Sequence, residues 1–385
     1  MSENWIFVDF GSFAVYWYAI FMVLATAAAA CLFVLFRGWQ GEDAAHAWNS
    51  VLCAMPAALI GSRIFYAWFG VAAFTGGWRD FVDLPSGGYA FYGAAGGILV
   101  ALAVSAAVRK DSFVRRLDAA MAPLAAALVI VRFAGITSGE DMGFPVQTDF
   151  PKKLPFLVWS ESEQSWNVWV GFFEGVAAAV ILAVCAVFFV SRYVRHGKGT
   201  RNGDTTLVFM MMYGLSQSVF ESMRNDSLFM VTLGFVKISE IVSIVMAVAA
   251  FVVVAVRYFR VRKNGWALAI SCVCYAALLT AAVICEFKMN AVDLLRNYSI
   301  MSVSLGLMLA ISFRLLLSGR SVAEGSGDGV PAKYDPVKCD RNPRATAGHT
   351  SVRHPPVTSD RKKRRSPSRG GKTPEMPLND SETVF

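Results

Sequence analysis

The sequence predicts an all-α polytopic membrane protein, because apolar residues dominate its composition and gather in long blocks. Hydrophobic residues make up 55% of the 385 residues, charged residues make up only 17%, and the mean hydropathy is +0.47. Soluble domains carry about 25% charged residues. This composition excludes an ordinary soluble enzyme, a disordered protein and a disulfide-bonded scaffold.

Nine blocks are long and apolar enough to cross a bilayer as helices, since one span requires about 20 apolar residues. They lie near residues 12–36, 47–69, 87–108, 117–137, 167–191, 204–223, 233–256, 266–285 and 298–317. Arg132 and Glu221 lower the hydropathy of the fourth and sixth blocks. Both blocks are nevertheless predicted to be spans, so the sequence predicts about nine transmembrane helices.

The orientation follows from the basic residues in the short connecting segments. Segments 109–116, 192–203 and 257–263 each contain four Lys or Arg residues, and all three fall on the same side of the nine spans. Basic loops remain in the cytoplasm. We therefore expect the N-terminus outside and the C-terminal tail inside.

Three regions are expected along the chain. Residues 1–256 form a seven-helix membrane domain, residues 257–318 add two transmembrane helices, and residues 319–385 form a disordered, basic, cytoplasmic tail. The tail contains the basic run 361–365, which either holds anionic lipid or is simply solvated.

Metal, disulfide and nucleic-acid chemistry are not indicated. Seven cysteines occur without any Cys-x-x-Cys pair, and six of the seven lie in apolar blocks. No folded basic face is apparent that would bind nucleic acid. We therefore expect no metal, no cofactor and no nucleic-acid partner.

Ionisable residues in apolar blocks mark functional sites, because an unpaired charge in the bilayer is costly. Such residues lie inside, at the edge of, or just beyond the blocks: Arg63, Arg132, Glu140, Asp141, Glu174, Glu221, Arg224 and Glu240. In the predicted topology several of them share the outer end of the second, fourth and sixth blocks. Guanidinium groups bind phosphate bidentately. The set indicates a phospholipid headgroup site, and the alternative is a structural Arg–Glu pair that fixes helix packing.

Segment 87–97 holds five glycines and three aromatic residues at the start of the third block. Small residues allow close approach of a neighbouring backbone or of a lipid chain. Both interpretations remain open at this point.

Six short motifs occur in a fixed order. They are Trp17-Tyr18; Gly61 to Tyr66; the glycine-rich segment 87–97; Asp118 to Pro123 followed by Arg132 and by Gly139 to Gly143; Tyr213-Gly214 followed by Glu221 and Arg224; and Ile238 to Ile244. Over roughly residues 12–256 this order resembles the prolipoprotein diacylglyceryl transferase family. Against the family pattern, Ala19 replaces a glycine, Tyr92 replaces the signature histidine, Gly135 replaces an asparagine and Gln217 replaces an arginine.

The resemblance implies a bacterial plasma-membrane enzyme that moves a diacylglyceryl group from phosphatidylglycerol to the thiol of a lipobox cysteine in prolipoproteins. The implied catalytic residues are Tyr92, Arg132, Glu140, Tyr213 and Glu221. The implied lipid-binding residues are Tyr18, Arg63, Gly93, Gly139, Gly143, Gln217, Arg224 and Glu240. Arg132 and Arg224 would stabilise the leaving phosphate, and their charge would also lower the thiol pKa. Glu140 and Glu221 would orient the guanidiniums, or one of them would serve as the base.

Two other functions remain open. The substitutions at Tyr92 and Gln217 are consistent with a phospholipid-binding protein of the same fold that lacks this catalysis. A transporter with a charged intramembrane path is less favoured, because transporters often contain inverted repeats and none is apparent in the sequence.

Overall fold

A long helix lies at each of the nine predicted blocks. The computed structural model describes residues 6–11, 14–69, 78–82, 88–139, 141–146, 154–160, 164–195, 201–225, 237–288 and 294–323. Its helices are α1 (Trp17–Trp39), α2 (Ala44–Phe69), the short α3 (Trp78–Val82), α4 (Phe91–Arg109), α5 (Phe113–Ala134), α6 (Val170–Phe189), α7 (Asp204–Met223), α8 (Ile238–Arg262), α9 (Gly265–Phe287) and α10 (Leu294–Ala323). The predicted all-α polytopic class is confirmed.

Within the described residues, eight helices are long and apolar enough to cross a membrane, and α7 is the long helix that falls short. The reason lies in its polar residues, such as Gln217 and Glu221, which are buried by neighbouring helices. A helix shielded from lipid can carry polar groups that a lipid-facing helix cannot. The orientation of the termini stays a prediction.

Two small antiparallel sheets, which the sequence did not predict, flank the helices. Strands β1 (Ile6–Asp9) and β2 (Ala14–Tyr16) form a hairpin that leads into α1. Strands β3 (Met142–Pro145), β4 (Leu157–Ser160) and β5 (Ser165–Trp169) pair in the order β3-β5-β4. Because β5 continues directly into α6, this second sheet fixes the chain between α5 and the first turn of α6.

Helices α2 and α4 pack with their backbones in close approach. A Cβ atom added at Gly93 would lie 2.3 Å from the Gly61 carbonyl oxygen, and one added at Gly97 would lie 2.0 Å from the Ala57 carbonyl oxygen. No real side chain fits at such distances. The glycine-rich segment therefore serves helix packing, which is one of the two interpretations that the sequence left open.

A buried polar cluster joins the α1–α2 connection to the α4–α5 connection. The Arg37 guanidinium pairs with Glu42 and Asp111, and Arg116 pairs with the same two carboxylates at 2.7 and 3.2 Å. Arg116 lies in the first turn of α5, whereas Arg132 lies in its last turn. This cluster is consequently at the end of the bundle away from Arg132.

Helices α9 and α10 belong to the same packed bundle. Met301, Leu305 and Met308 of α10 are buried, and α10 contacts α7, α8 and α9. Helix α10 continues to Ala323, past the boundary at which the tail was predicted to begin. The rest of the predicted tail lies outside the described residues.

Candidate active site

The site begins with Arg132, which the last turn of α5 places against two other segments. Its Nε lies 2.9 Å from the Glu174 carboxylate on α6, and its Nη1 donates to both carboxylate oxygens of Asp141 at 3.2 and 3.4 Å. Glu174 is only 2% exposed. Asp141 has a φ of 64°, a backbone conformation that non-glycine residues rarely adopt. The loop after α5 is thus held in an uncommon shape that aims this carboxylate at Arg132.

Asp141 also binds the second arginine of the site. The Nη1 of Arg224, just beyond α7, lies 2.9 Å from the same Asp141 oxygen that Arg132 contacts. Glu221, one turn earlier, lies 3.8 Å from Arg224. The predicted convergence of guanidiniums from separate helices therefore holds for Arg132 and Arg224, with Asp141 between them.

Gln217 forms hydrogen bonds with two carboxylates of the site. Its side-chain amide donates to Glu174 at 2.9 Å and to Glu221 at 3.4 Å. Together the two arginines and the three carboxylates carry a formal charge of −1, with all five groups ionised. Each arginine is already paired within the protein, so an incoming anion would share the guanidiniums with these carboxylates or displace one of them.

Lys237, at the start of α8, holds the end of α7. Its ammonium group donates to the backbone carbonyls of Glu221 and Arg224, the latter at 2.6 Å. These carbonyls lie at the C-terminal end of α7, where a cation interacts favourably with the helix dipole. Burial lowers the pKa of Lys237, and the charge of Glu221 opposes that shift.

A small cavity of about 10 Å³ lies beside this network. It is lined by Leu128, Arg132, Glu174, Ala177, Ala178, Ile181, Tyr213, Ser216, Gln217 and Phe220. One water molecule requires a cavity of about 10–15 Å³. The cavity therefore has room for about one water molecule, and a headgroup phosphate could enter only if the lining side chains moved apart.

Tyr213 contributes a buried hydroxyl to this cavity. Its ring packs between Phe209 and Phe91, with ring centroids 5.4 and 5.6 Å away. The residue is 5% exposed, and its hydroxyl has no hydrogen-bond partner among the described residues. A buried hydroxyl without a partner is costly, so this group is well placed to bind a ligand in the cavity.

Tyr92 makes a different contact. Its hydroxyl forms a hydrogen bond with the Ser243 hydroxyl on α8. Because Ser243 donates its only proton to the Ser239 carbonyl at 2.7 Å, Tyr92 is the donor in this pair. The catalytic role of Tyr92 stays a prediction, and this geometry restricts its phenol to accepting hydrogen bonds from other groups.

Arg63 lies against the segment that precedes α4. It is 1% exposed, its guanidinium carbon lies 4.6 Å from the centre of the Tyr89 ring, and it donates to the Gly88 carbonyl at 3.5 Å. A cation over an aromatic face is stabilised electrostatically. Participation of Arg63 in the same headgroup site as Arg132 stays a prediction.

The other predicted residues take varied positions. Gly143 lies where an added Cβ would be 3.0 Å from the Met223 carbonyl oxygen at the end of α7, and Gly139 has a φ of 69°. Glu240 is 7% exposed in the first turn of α8, and Tyr18 lies in the first turn of α1. Gly93 packs against Gly61 as described above. Glu140 lies outside the described residues.

The bundle of membrane-spanning helices buries a network of arginines and carboxylates at one end. This arrangement defines a polytopic membrane protein with a buried polar site. The family model described as prolipoprotein diacylglyceryl transferase matches residues 5–256. The chain belongs to this family. The family resemblance deduced from the motifs is confirmed.

The relatives share the family at low identity. Phosphatidylglycerol–prolipoprotein diacylglyceryl transferases of Finegoldia magna and Clostridium kluyveri are each 24% identical to the chain, over 63% and 65% of its length and 90% and 96% of their own. Transferase 1 of Clostridium perfringens is 22% identical over 66% of the chain and 95% of its own length. Helices α9 and α10 lie beyond the family match.

Sequence reasoning assigned no role to several residues that complete the site. Asp141 and Glu174 were noted as charges, but their pairing with Arg132 requires the rotation of α5 and α6 about their axes. Lys237 follows no motif and precedes a helix, where a lysine has many ordinary uses. The available signals are the positions of Glu174 inside an apolar block and of Asp141 just beyond one.

Proposed function

We propose that this chain transfers the diacylglyceryl group of phosphatidylglycerol to the thiol of a lipobox cysteine in prolipoproteins, in the plasma membrane of a bacterium. Membership of the family supports the reaction class. The observation that carries the proposal is the pair Arg132 and Arg224, brought to one carboxylate, Asp141, at one end of the helix bundle. Two guanidiniums that contact the same carboxylate oxygen are close enough together to bind one phosphate group.

In the proposed binding step the headgroup phosphate replaces carboxylate oxygens on Arg132 and Arg224. The phosphate enters at the small cavity lined by Arg132 and Tyr213, whose side chains move apart to admit it. The acyl chains then lie outside the cavity, in the surrounding bilayer.

In the proposed chemical step the cysteine sulfur forms a bond to the glyceryl carbon that carries the phosphate. The bond between that carbon and the phosphate oxygen breaks, and glycerol phosphate leaves with its electron pair. Arg132 and Arg224 stabilise the charge on that leaving phosphate. Tyr213, whose hydroxyl has no partner among the described residues, donates a hydrogen bond to the phosphate.

The thiol proton goes to a carboxylate of the network. Glu221 suits this role better than Glu174, because its contacts with Arg224 and Gln217, at 3.8 and 3.4 Å, are longer than the 2.9 Å contact between Glu174 and Arg132. A carboxylate with longer contacts is freer to accept a hydrogen bond from an incoming thiol. Glu140 is the second residue proposed as a base or as an orienting group.

A direct test combines purified full-length protein, vesicles of phosphatidylglycerol and a synthetic lipobox peptide. The peptide is expected to gain the mass of one diacylglyceryl group. A peptide with serine in place of cysteine and vesicles of phosphatidylethanolamine are the controls, and both should leave the peptide mass unchanged.

The same assay decides the main alternative. Gln217 in place of the family's arginine and the internal pairing of both arginines favour a protein that binds anionic phospholipid without transferring it. An unchanged peptide mass, together with saturable binding of phosphatidylglycerol, would establish that second function.

A further inference from the structure

Helices α9 and α10 lie outside the part of the chain that matches the family, yet two of their side chains reach the end of α7 that carries the site. The family match ends at residue 256, whereas α9 and α10 cover Gly265–Phe287 and Leu294–Ala323. The two side chains are Glu286, near the end of α9, and Tyr298, near the start of α10.

Both side chains bind Ser222. The Tyr298 hydroxyl donates to the Ser222 backbone carbonyl at 3.0 Å, and the Ser222 hydroxyl donates to the Glu286 carboxylate at 2.6 Å. Ser222 and Tyr298 are 8% and 9% exposed. The hydrogen bond from Tyr298 is buried, and the one to Glu286 is partly buried. A carboxylate acceptor, when ionised, makes a stronger hydrogen bond than a neutral one.

Ser222 lies between the two site residues of α7. It directly follows Glu221 and is two residues before Arg224. The last carbonyls of a helix lack partners within the helix. Lys237 provides donors for the Glu221 and Arg224 carbonyls, and Tyr298 provides one for the carbonyl between them.

Tyr298 also contacts the other side of the site. Its ring centroid lies 5.9 Å from that of Phe144 in β3. Strand β3 begins at Met142, immediately after Asp141. Tyr298 therefore contacts both the end of α7 and strand β3. The distance between these two segments determines the 2.9 Å contact between Asp141 and Arg224.

We propose that Tyr298 and Glu286 are positioning residues of the transferase site, so that α9 and α10 form part of the catalytic unit. They hold the last turn of α7 at the distance from Asp141 that presents Arg224 to the headgroup phosphate. This inference rests on the proposed function and adds residues to its site. It assigns a task to the two helices that lie beyond the family match.

The test compares two buried tyrosines of these helices in the full-length protein. Tyr298→Phe removes the hydrogen bond to Ser222, and Tyr275→Phe is the matched control, because the Tyr275 hydroxyl is buried without a partner among the described residues. Loss of one hydrogen bond and a small displacement of Arg224 should lower kcat about 5-fold to 100-fold. The KM for phosphatidylglycerol should change less, and Tyr275→Phe should match wild type.

A conservative rescue distinguishes positioning from simple loss of packing. Glu286→Gln keeps an oxygen that accepts from Ser222, so its kcat should remain near wild type, whereas Glu286→Leu should lose as much as Tyr298→Phe. Ser222→Ala removes the same hydrogen bond with the smallest change in volume and serves if Glu286→Leu does not fold. Thermal unfolding shows how much of each variant is folded, and kcat is then compared at equal amounts of folded protein.

The outcomes distinguish the positioning role of Tyr298 and Glu286 from the proposed transferase function. An active wild type with unchanged kcat in Tyr298→Phe and Ser222→Ala overturns the positioning role alone. An equal fall in kcat for Tyr275→Phe would also overturn it, since that change breaks no bond to α7. An inactive wild type overturns the proposed function, and the positioning role with it.

Discussion

Variants of Arg132 and Glu174 can distinguish a loss of stability from a loss of catalytic activity. In Arg132→Gln the Glu174 carboxylate, 2% exposed, loses the guanidinium that lies 2.9 Å away. At that distance and an effective dielectric constant of about 20, the attraction between unit charges is about 6 kcal/mol, part of which desolvation offsets. Breaking a buried pair from one side costs about 3–5 kcal/mol. We therefore expect Arg132→Gln to unfold at a clearly lower temperature than wild type.

The double variant Arg132→Gln with Glu174→Gln removes both charges, so its unfolding temperature is expected to return towards that of wild type. Its turnover is not expected to return, because loss of one fixed donor to a developing anion lowers the rate about 10²–10³-fold. The assay is peptide mass gain on phosphatidylglycerol vesicles at equal amounts of folded protein. Arg257→Gln is the control, since Arg257 pairs with Asp204 at 3.2 Å at the other end of α7. A stable double variant with wild-type turnover would refute the chemical role of Arg132.

Three further predictions concern packing, acidity and the phenol near the site. Gly97→Ala should destabilise the protein by about 1–3 kcal/mol through overpacking, whereas Gly96→Ala, with open space around its Cβ position, should not; thermal unfolding compares the two. Burial alone would raise the pKa of Glu42 and of Asp111, but hydrogen bonds and charges from the paired arginines outweigh it and lower both pKa values. Stability from these carboxylates is present above their unfolded pKa values and is lost as they become protonated below about pH 4, so unfolding temperatures should fall there, and less so in Glu42→Gln. Tyr92→Phe should lower stability by about 1 kcal/mol and retain most turnover, because its proton is already donated to a serine; a hundredfold loss in the peptide assay would contradict this.

The nine long helices could be predicted from the sequence because each of them is a long apolar block, and this signal depends on no tertiary contact. Helix α7 was predicted at Asp204–Met223 although it is the least apolar of the long helices described. The strands were not predicted, because elements of three to five residues carry too little periodicity to stand out between spans. Their pairing depends on the positions of α5 and α6.

The candidate site was predictable in part for the same reason. Charges in apolar blocks are visible in a sequence, so Arg132, Glu221 and Arg224 were found. Which carboxylate meets which guanidinium depends on helix rotation and on the loop conformation at Asp141, where φ is 64°. The contribution of Tyr298 could not be predicted, because it lies beyond the family motifs and acts through the backbone of α7.

The internal pairing of the arginines follows from their surroundings. A guanidinium buried in an apolar bundle without a partner would cost several kcal/mol, so Arg132 and Arg224 require carboxylates whenever no lipid is bound. Asp141 and Glu174 meet this need, and the neutral amide of Gln217 bonds to two carboxylates that would otherwise repel each other. An arriving phosphate gives the arginines another anionic partner, and any carboxylate that it displaces loses its own guanidinium. Binding therefore depends on the difference between two ion pairs, and a small change in the position of Arg224, such as Tyr298 controls, is sufficient to alter it.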